Sequence, residues 1–123
     1  MNRLATAARI LLGAGFVVFG LNGLLHFLPN PEMQGPAGAF IGALVNSGYL
    51  ITLVALTQVV GGALVLTGVF VPLGLVLLAP VLVNIVLFHL FLEPSGIVPG
   101  LMLCVCEIIV AWQHRRAFRG LFT

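Results

Sequence analysis

Glu107 is a carboxylic acid set midway along a strongly apolar stretch near the end of the chain. An ionised carboxylate is heavily penalised in hydrocarbon, so a group placed there is expected to be protonated and to face other helices. In that state it donates to an amide or carbonyl of a neighbouring helix, or holds a proton or ligand. Gly100, Cys104, Glu107, Ala111 and His114 recur at helical spacing and share one face. Three carboxamides hold comparable positions in the other apolar stretches: Asn22, Gln58 and Asn84. Asn84 follows Pro80 by one turn, on the side of the carbonyl that the proline leaves without a donor. Asn22, Gln58, Asn84 and Glu107 are therefore expected to converge on one buried polar cluster. Such a cluster suits hydrogen bonding to ligand carbonyls, and it equally suits plain interhelical packing bonds.

His26, His89 and Glu93 form a second candidate group at the opposite ends of their stretches from the arginines. Glu93 follows His89 at i+4, so the two share a face. A His-His-Glu set can ligate a transition metal, but no His-x-x-His or Glu-x-x-His spacing accompanies it, and no metal is expected. Cys104 and Cys106 point roughly 200° apart on a helix and cannot meet as a redox pair.

Elements that could position these groups follow from composition. Of 123 residues, 61% are hydrophobic and only 7% charged, against roughly 25% charged in soluble domains. A domain this small exposes much of its surface and needs a polar shell. This chain cannot supply one, which excludes a soluble enzyme and a nucleic-acid binder. About 20 apolar residues cross a bilayer as a helix, and four stretches qualify: about 8–28, 49–69, 72–92 and 97–112. Pro29-Asn30-Pro31 closes the first, and Pro72 beside Gly74 separates the second from the third. Pro80 is expected to kink the third span. The fold class is thus all-α, a single integral membrane four-helix bundle over residues 1–123.

The positive charges are Arg3, Arg9, Arg115, Arg116 and Arg119, while the loops after spans one and three carry Glu32 and Glu93. Arg3 and Arg9 are read as preceding the first span. Arginines at both ends, with an even number of crossings, put both termini on the cytoplasmic side. The first apolar run is longer than the 7–15 residues of a signal-peptide core, and Ala37-Gly38-Ala39 lies far beyond its end, so it is expected to remain as a span. Between spans one and two, Ala37, Phe40, Ile41, Leu44 and Val45 fall on one helical face. A short helix over about 37–46 is predicted, lying along the outer interface or folding over the bundle mouth as a lid.

Arg9 to Phe27 (RILLGAGFVVFGLNGLLHF), Gln58 to Gly68 (QVVGGALVLTG) and Val71 to Leu92 (VPLGLVLLAPVLVNIVLFHLFL) resemble the DoxX-like family of small four-helix membrane proteins. The resemblance extends over nearly the whole chain. It implies a bundle related to the membrane subunit of thiosulfate:quinone oxidoreductase, and to members that assemble with oxidative-stress enzymes. Family members often carry an acid in an E-x-x-G-G pattern where this chain has Gln58, which keeps the shape but cannot ionise. Acid–base chemistry would then fall to Glu107 alone.

The leading expectation is a membrane subunit without catalytic activity of its own, docking redox protein subunits and offering a quinone-head pocket at the polar cluster. No cofactor motif is present, so the ligand would be a bound quinone or lipid. A small proton or solute conduit is one alternative, with Glu107 flanked by His114, His26 and His89. A structural or lipid-organising subunit of a larger complex is the other, with Gly13, Gly20, Gly61 and Gly62 packing helices. The expected setting is a bacterial inner membrane.

Overall fold

The computed structural model describes residues 2–26 and 33–123. The Pro29-Asn30-Pro31 stop, Glu32 and the last residues expected in span one lie outside them. Among the described residues five α-helices follow in order: α1 (Arg3–Leu25), α2 (Gly35–Asn46), α3 (Leu50–Thr67), α4 (Val71–Phe91) and α5 (Ile97–Gln113). Short 3-10 turns occupy Pro94–Gly96 and Arg115–Leu121. No strand occurs among the described residues. Four helical stretches, counting Pro94–Gln113 as one, are long and apolar enough to cross a membrane, and α2 is a shorter apolar helix.

Boundaries differ from the hydropathy reading where side chains cap the ends. The helix α1 begins at Arg3, not near residue 8, because the Asn2 side chain accepts from the Ala5 amide at 2.7 Å. Arg9 therefore lies inside the first helix and does not precede it. At the other end His26 adopts a left-handed conformation (φ 55°), its N–H donating to the Asn22 carbonyl. Gly68, at φ 79°, closes α3 with its N–H on the Leu64 and Val65 carbonyls, the left-handed cap that glycine adopts without strain. Pro80 sits within α4, which runs unbroken through it.

In lipid, helices gain little from apolar burial against one another, so close approach at small residues matters more. On α1, a Cβ at Gly13 would lie 2.5 Å from the Leu66 backbone nitrogen, and one at Gly20 would lie 2.8 Å from the Ala55 carbonyl. On α3, a Cβ at Gly62 would lie 2.9 Å from the Gly13 carbonyl. Partner numbers fall along α3 as they rise along α1, so the pair is antiparallel. The neighbouring residue Gly61 turns to α4, where a Cβ at Gly74 would lie 2.8 Å from the Gly61 carbonyl. Adjacent glycines thus serve two interfaces about 100° apart, the angular step of an α-helix. The helices close as a ring in the order α1, α3, α4, α5. Leu12, Phe16, Val65, Leu78, Leu103 and Val110 fill its interior. Large apolar side chains such as Phe19, Val60, Val83 and Ile108 point outward, as lipid contact requires. Thr57 and Thr67 donate to carbonyls four residues back, which satisfies their hydroxyls within their own helix.

Candidate functional site: two cavities under a short helix

The short helix α2 packs against α3 and, through Phe40, against α4. Pro36 stands in its first turn, and Ser47 ends it and starts α3, its hydroxyl oxygen accepting from the Leu50 amide at 3.0 Å. Ala37 is buried and Phe40, Ile41 and Leu44 are half-buried, while Val45 at the helix end is exposed. The Phe40 ring meets Phe88 of α4 at 5.5 Å between centroids, tilted by 42°.

Beneath α2 lie two adjoining cavities. One, of about 640 Å³, is bounded by α1, α2 and α3 and lined by Asn22, His26 and Gln58 among apolar residues. The other, of about 620 Å³, is bounded by α2, α3 and α4 and lined by Gln58, Asn84 and His89 together with Phe40 and Phe88. Met33, Ile41, Ile51, Val54 and Gln58 line both. Gln58 therefore stands where the two spaces meet. Volumes of this size, mostly apolar with a few convergent polar groups, match the usual dimensions of small-molecule sites.

The structure brings Asn22, Gln58 and Asn84 to the linings of these cavities but does not bury them as expected, since Asn22 and Gln58 are half-buried and Asn84 is exposed; it sets Glu107 apart. Glu107 lines neither. Gly15 of α1 faces Leu103 of α5. Asn22 lies seven residues beyond Gly15 towards α2, and Glu107 lies four residues beyond Leu103 in the other direction. At 1.5 Å per residue the two are roughly 16 Å apart along the bundle axis. Register places them: four residues at mid-span by hydropathy do not share a level once helices of unequal length are docked. Glu107 Oε1 is buried and has no hydrogen-bond partner among the described residues, so the interhelical bond expected of it is not made through that oxygen.

The second sequence-level group also divides. His26 and His89 line different cavities. His89 Nδ1 lies 3.0 Å from the backbone carbonyl oxygen of Glu93, whereas the Glu93 carboxylate accepts from the Ser95 hydroxyl at 2.7 Å. Among the described residues no group of three or more His, Cys, Asp or Glu side chains is placed to hold a metal ion. Cys104 and Cys106 are both free thiols.

Sequence reasoning missed Arg9. Its Nη1 donates to the carbonyls of Val65 and Leu66 at 2.7 and 2.8 Å, supplying a charged donor to acceptors at the end of α3. An arginine set among apolar residues within the first apolar stretch was the available signal, since such a side chain must reach a polar group. Phe40 and Phe88 were also missed as a pair, because nothing local links residues on separate helices.

An apolar four-helix ring with one short helix over amide-lined cavities defines an integral membrane helical bundle. The chain belongs to the DoxX family, whose profile matches residues 4–90. That match ends within α4, short of the near-complete resemblance read from the sequence, so Glu107 lies outside it. No curated protein and no solved structure matches the chain.

Proposed function

We propose that the protein is a membrane subunit without catalytic activity of its own, which holds the head group of a quinone-like lipid beneath α2 and docks redox protein partners. The observation that carries this reading is the position of Gln58, a donor-bearing carboxamide lining both cavities. Carboxamide N–H groups donate to ligand carbonyls, and the apolar walls suit a ring and tail arriving from the bilayer. Glu107, offset from the amide layer and unpartnered at Oε1, lends little support to a continuous proton path and weighs against the conduit alternative.

The setting we assign is a bacterial inner membrane with both termini cytoplasmic. All five arginines belong to the first turns of α1 or follow α5, and antiparallel packing gathers those segments at one end of the bundle. That pattern supports a cytoplasmic arginine end.

An azido-quinone photolabel in lipid nanodiscs tests the cavity. Labelling should fall on peptides bearing Met33, Phe40 or Phe88 and drop by about tenfold in Gln58→Leu, the loss of one good hydrogen bond. Labelling spread evenly over lipid-facing peptides, or unchanged by the substitution, would remove the basis of the reading. Affinity capture in mild detergent tests partner docking, which requires a redox protein recovered in constant ratio.

A further inference from the structure

His89 has one ring nitrogen committed. A carbonyl oxygen only accepts, so the 3.0 Å contact to the Glu93 carbonyl places the ring hydrogen on Nδ1. In the neutral imidazole Nε2 is then a bare acceptor. The ring is held in this orientation from several sides. Phe88 meets it edge-on at 5.2 Å between centroids. Gly96, the last residue of the 3-10 turn before α5, makes room for it, since a Cβ there would run into ring atoms Cε1 and Nδ1. A Cβ at Gly100 would reach ordinary contact with the ring's Cδ2.

Nε2 makes no hydrogen bond among the described residues. It is not sealed off either, because the sole buried, unpartnered side-chain oxygen or nitrogen among them is Glu107 Oε1. His89 lines the α2–α3–α4 cavity, and its Nε2 has no competing donor among the described residues. The polar lining of that cavity is consequently unsymmetrical. Gln58 and Asn84 each offer a donor and an acceptor, whereas His89 offers an acceptor only. The tilted rings of Phe40 and Phe88 supply aromatic wall between them.

We infer that this cavity selects a hydroxyl-bearing aromatic head group, a phenol or hydroquinone, with His89 Nε2 accepting the hydroxyl hydrogen. The inference rests on the quinone-head reading of the cavities and narrows it to the reduced form. A quinone carbonyl facing Nε2 sets two acceptors against each other and leaves both unpaired, whereas a hydroxyl pairs with it. Sites built to bond a hydroxyl discriminate strongly against analogues lacking one. The amides do not impose this choice, since either can rotate to present its donor or its acceptor.

The test uses the whole protein in nanodiscs under anaerobic conditions, with duroquinol, duroquinone and the dimethyl ether of duroquinol as ligands in equilibrium dialysis. The wild-type protein should bind the quinol about tenfold more tightly than either of the others, one hydrogen bond's worth of discrimination. In His89→Asn, which keeps a donor for the Glu93 carbonyl and removes the far acceptor, the preference should vanish while quinone affinity stays within about threefold. Equal binding of all three ligands to wild type, or a quinol preference that survives His89→Asn, overturns the role of His89 and leaves the cavity standing. Binding of none of the three to wild type removes the cavity reading itself.

Discussion

Arg9 Nη1 lies 2.7 Å from the carbonyl oxygen of Val65, across 56 residues of sequence. The same nitrogen reaches the Leu66 carbonyl at 2.8 Å, so one cation closes the C-terminal end of α3, where the helix dipole favours positive charge. Gly68 stands directly beneath it, and a Cβ there would lie 3.2 Å from that Nη1.

Removing this contact should weaken the bundle. Arg9→Leu removes the charged donor from both carbonyls, leaving Val65 only its longer 3.3 Å bond from the Gly68 N–H, and should cost about 1.5–3 kcal/mol, the usual range for hydrogen bonds from a charged group. Arg9→Lys keeps the charge but cannot match the fork of the guanidinium, and should recover part of the loss. Reversible unfolding in mixed detergent micelles reads both values.

Two glycine-to-alanine changes should move stability in opposite directions. At Gly13 the new methyl meets Leu66 backbone, which cannot swing away, and overpacking of this kind costs about 1–3 kcal/mol. At Gly42, inside α2, nothing lies within 4 Å, and the substitution should stabilise by about 0.5–1 kcal/mol through backbone entropy alone. The same unfolding assay distinguishes them, and a neutral Gly13→Ala would mean that α1 and α3 are less closely docked.

Glu107→Leu should be neutral or stabilising. Sequence reasoning expects the reverse, a loss from leaving a hydrogen-bonded neighbour unpaired. With Oε1 buried and unpartnered, replacing the carboxyl removes an unsatisfied oxygen worth about 1–3 kcal/mol. Glu107→Gln keeps a polar group at the same depth and should track the wild type. A marked destabilisation by Leu alone would show that the carboxyl has a binding partner in the membrane.

Phe40→Ala should loosen α2 without disturbing the ring of spans. The Phe40–Phe88 pair is worth about 0.5–1.5 kcal/mol beyond its area, so amide exchange over Gly35–Asn46 should accelerate by up to about tenfold. Exchange in α5 (Ile97–Gln113) should not change. Hydrogen-exchange mass spectrometry of the protein in nanodiscs follows both segments at once.

Topology is open to a direct check. With Cys104 and Cys106 replaced by alanine, single cysteines introduced by Asn2→Cys and Thr123→Cys should react with an impermeant maleimide from the same side. Labelling only after inside-out vesicles are prepared supports the cytoplasmic assignment, and labelling of the two from opposite sides would contradict four crossings.

Membrane residence, four spans and the short helix α2 follow from the sequence by itself, because each depends on local quantities. Apolar run length sets whether a helix can cross lipid. Pro72 and Gly74 mark the α3–α4 turn, and the spacing of Ala37, Phe40, Ile41 and Leu44 marks the covered face of α2. Tertiary structure alone decided which polar groups meet. Asn22, Gln58 and Asn84 share a level with α2 because Gly13, Gly20, Gly61, Gly62 and Gly74 set the sliding register of α1, α3 and α4. Glu107 leaves that level because α5 docks through Gly15 and Leu103 at a different height. Composition shows that a carboxylate or an arginine inside a span needs a partner. Whether one is there, as for Arg9, or absent among the described residues, as for Glu107 Oε1, depends on helix register, and register is fixed by contacts between residues distant in the chain.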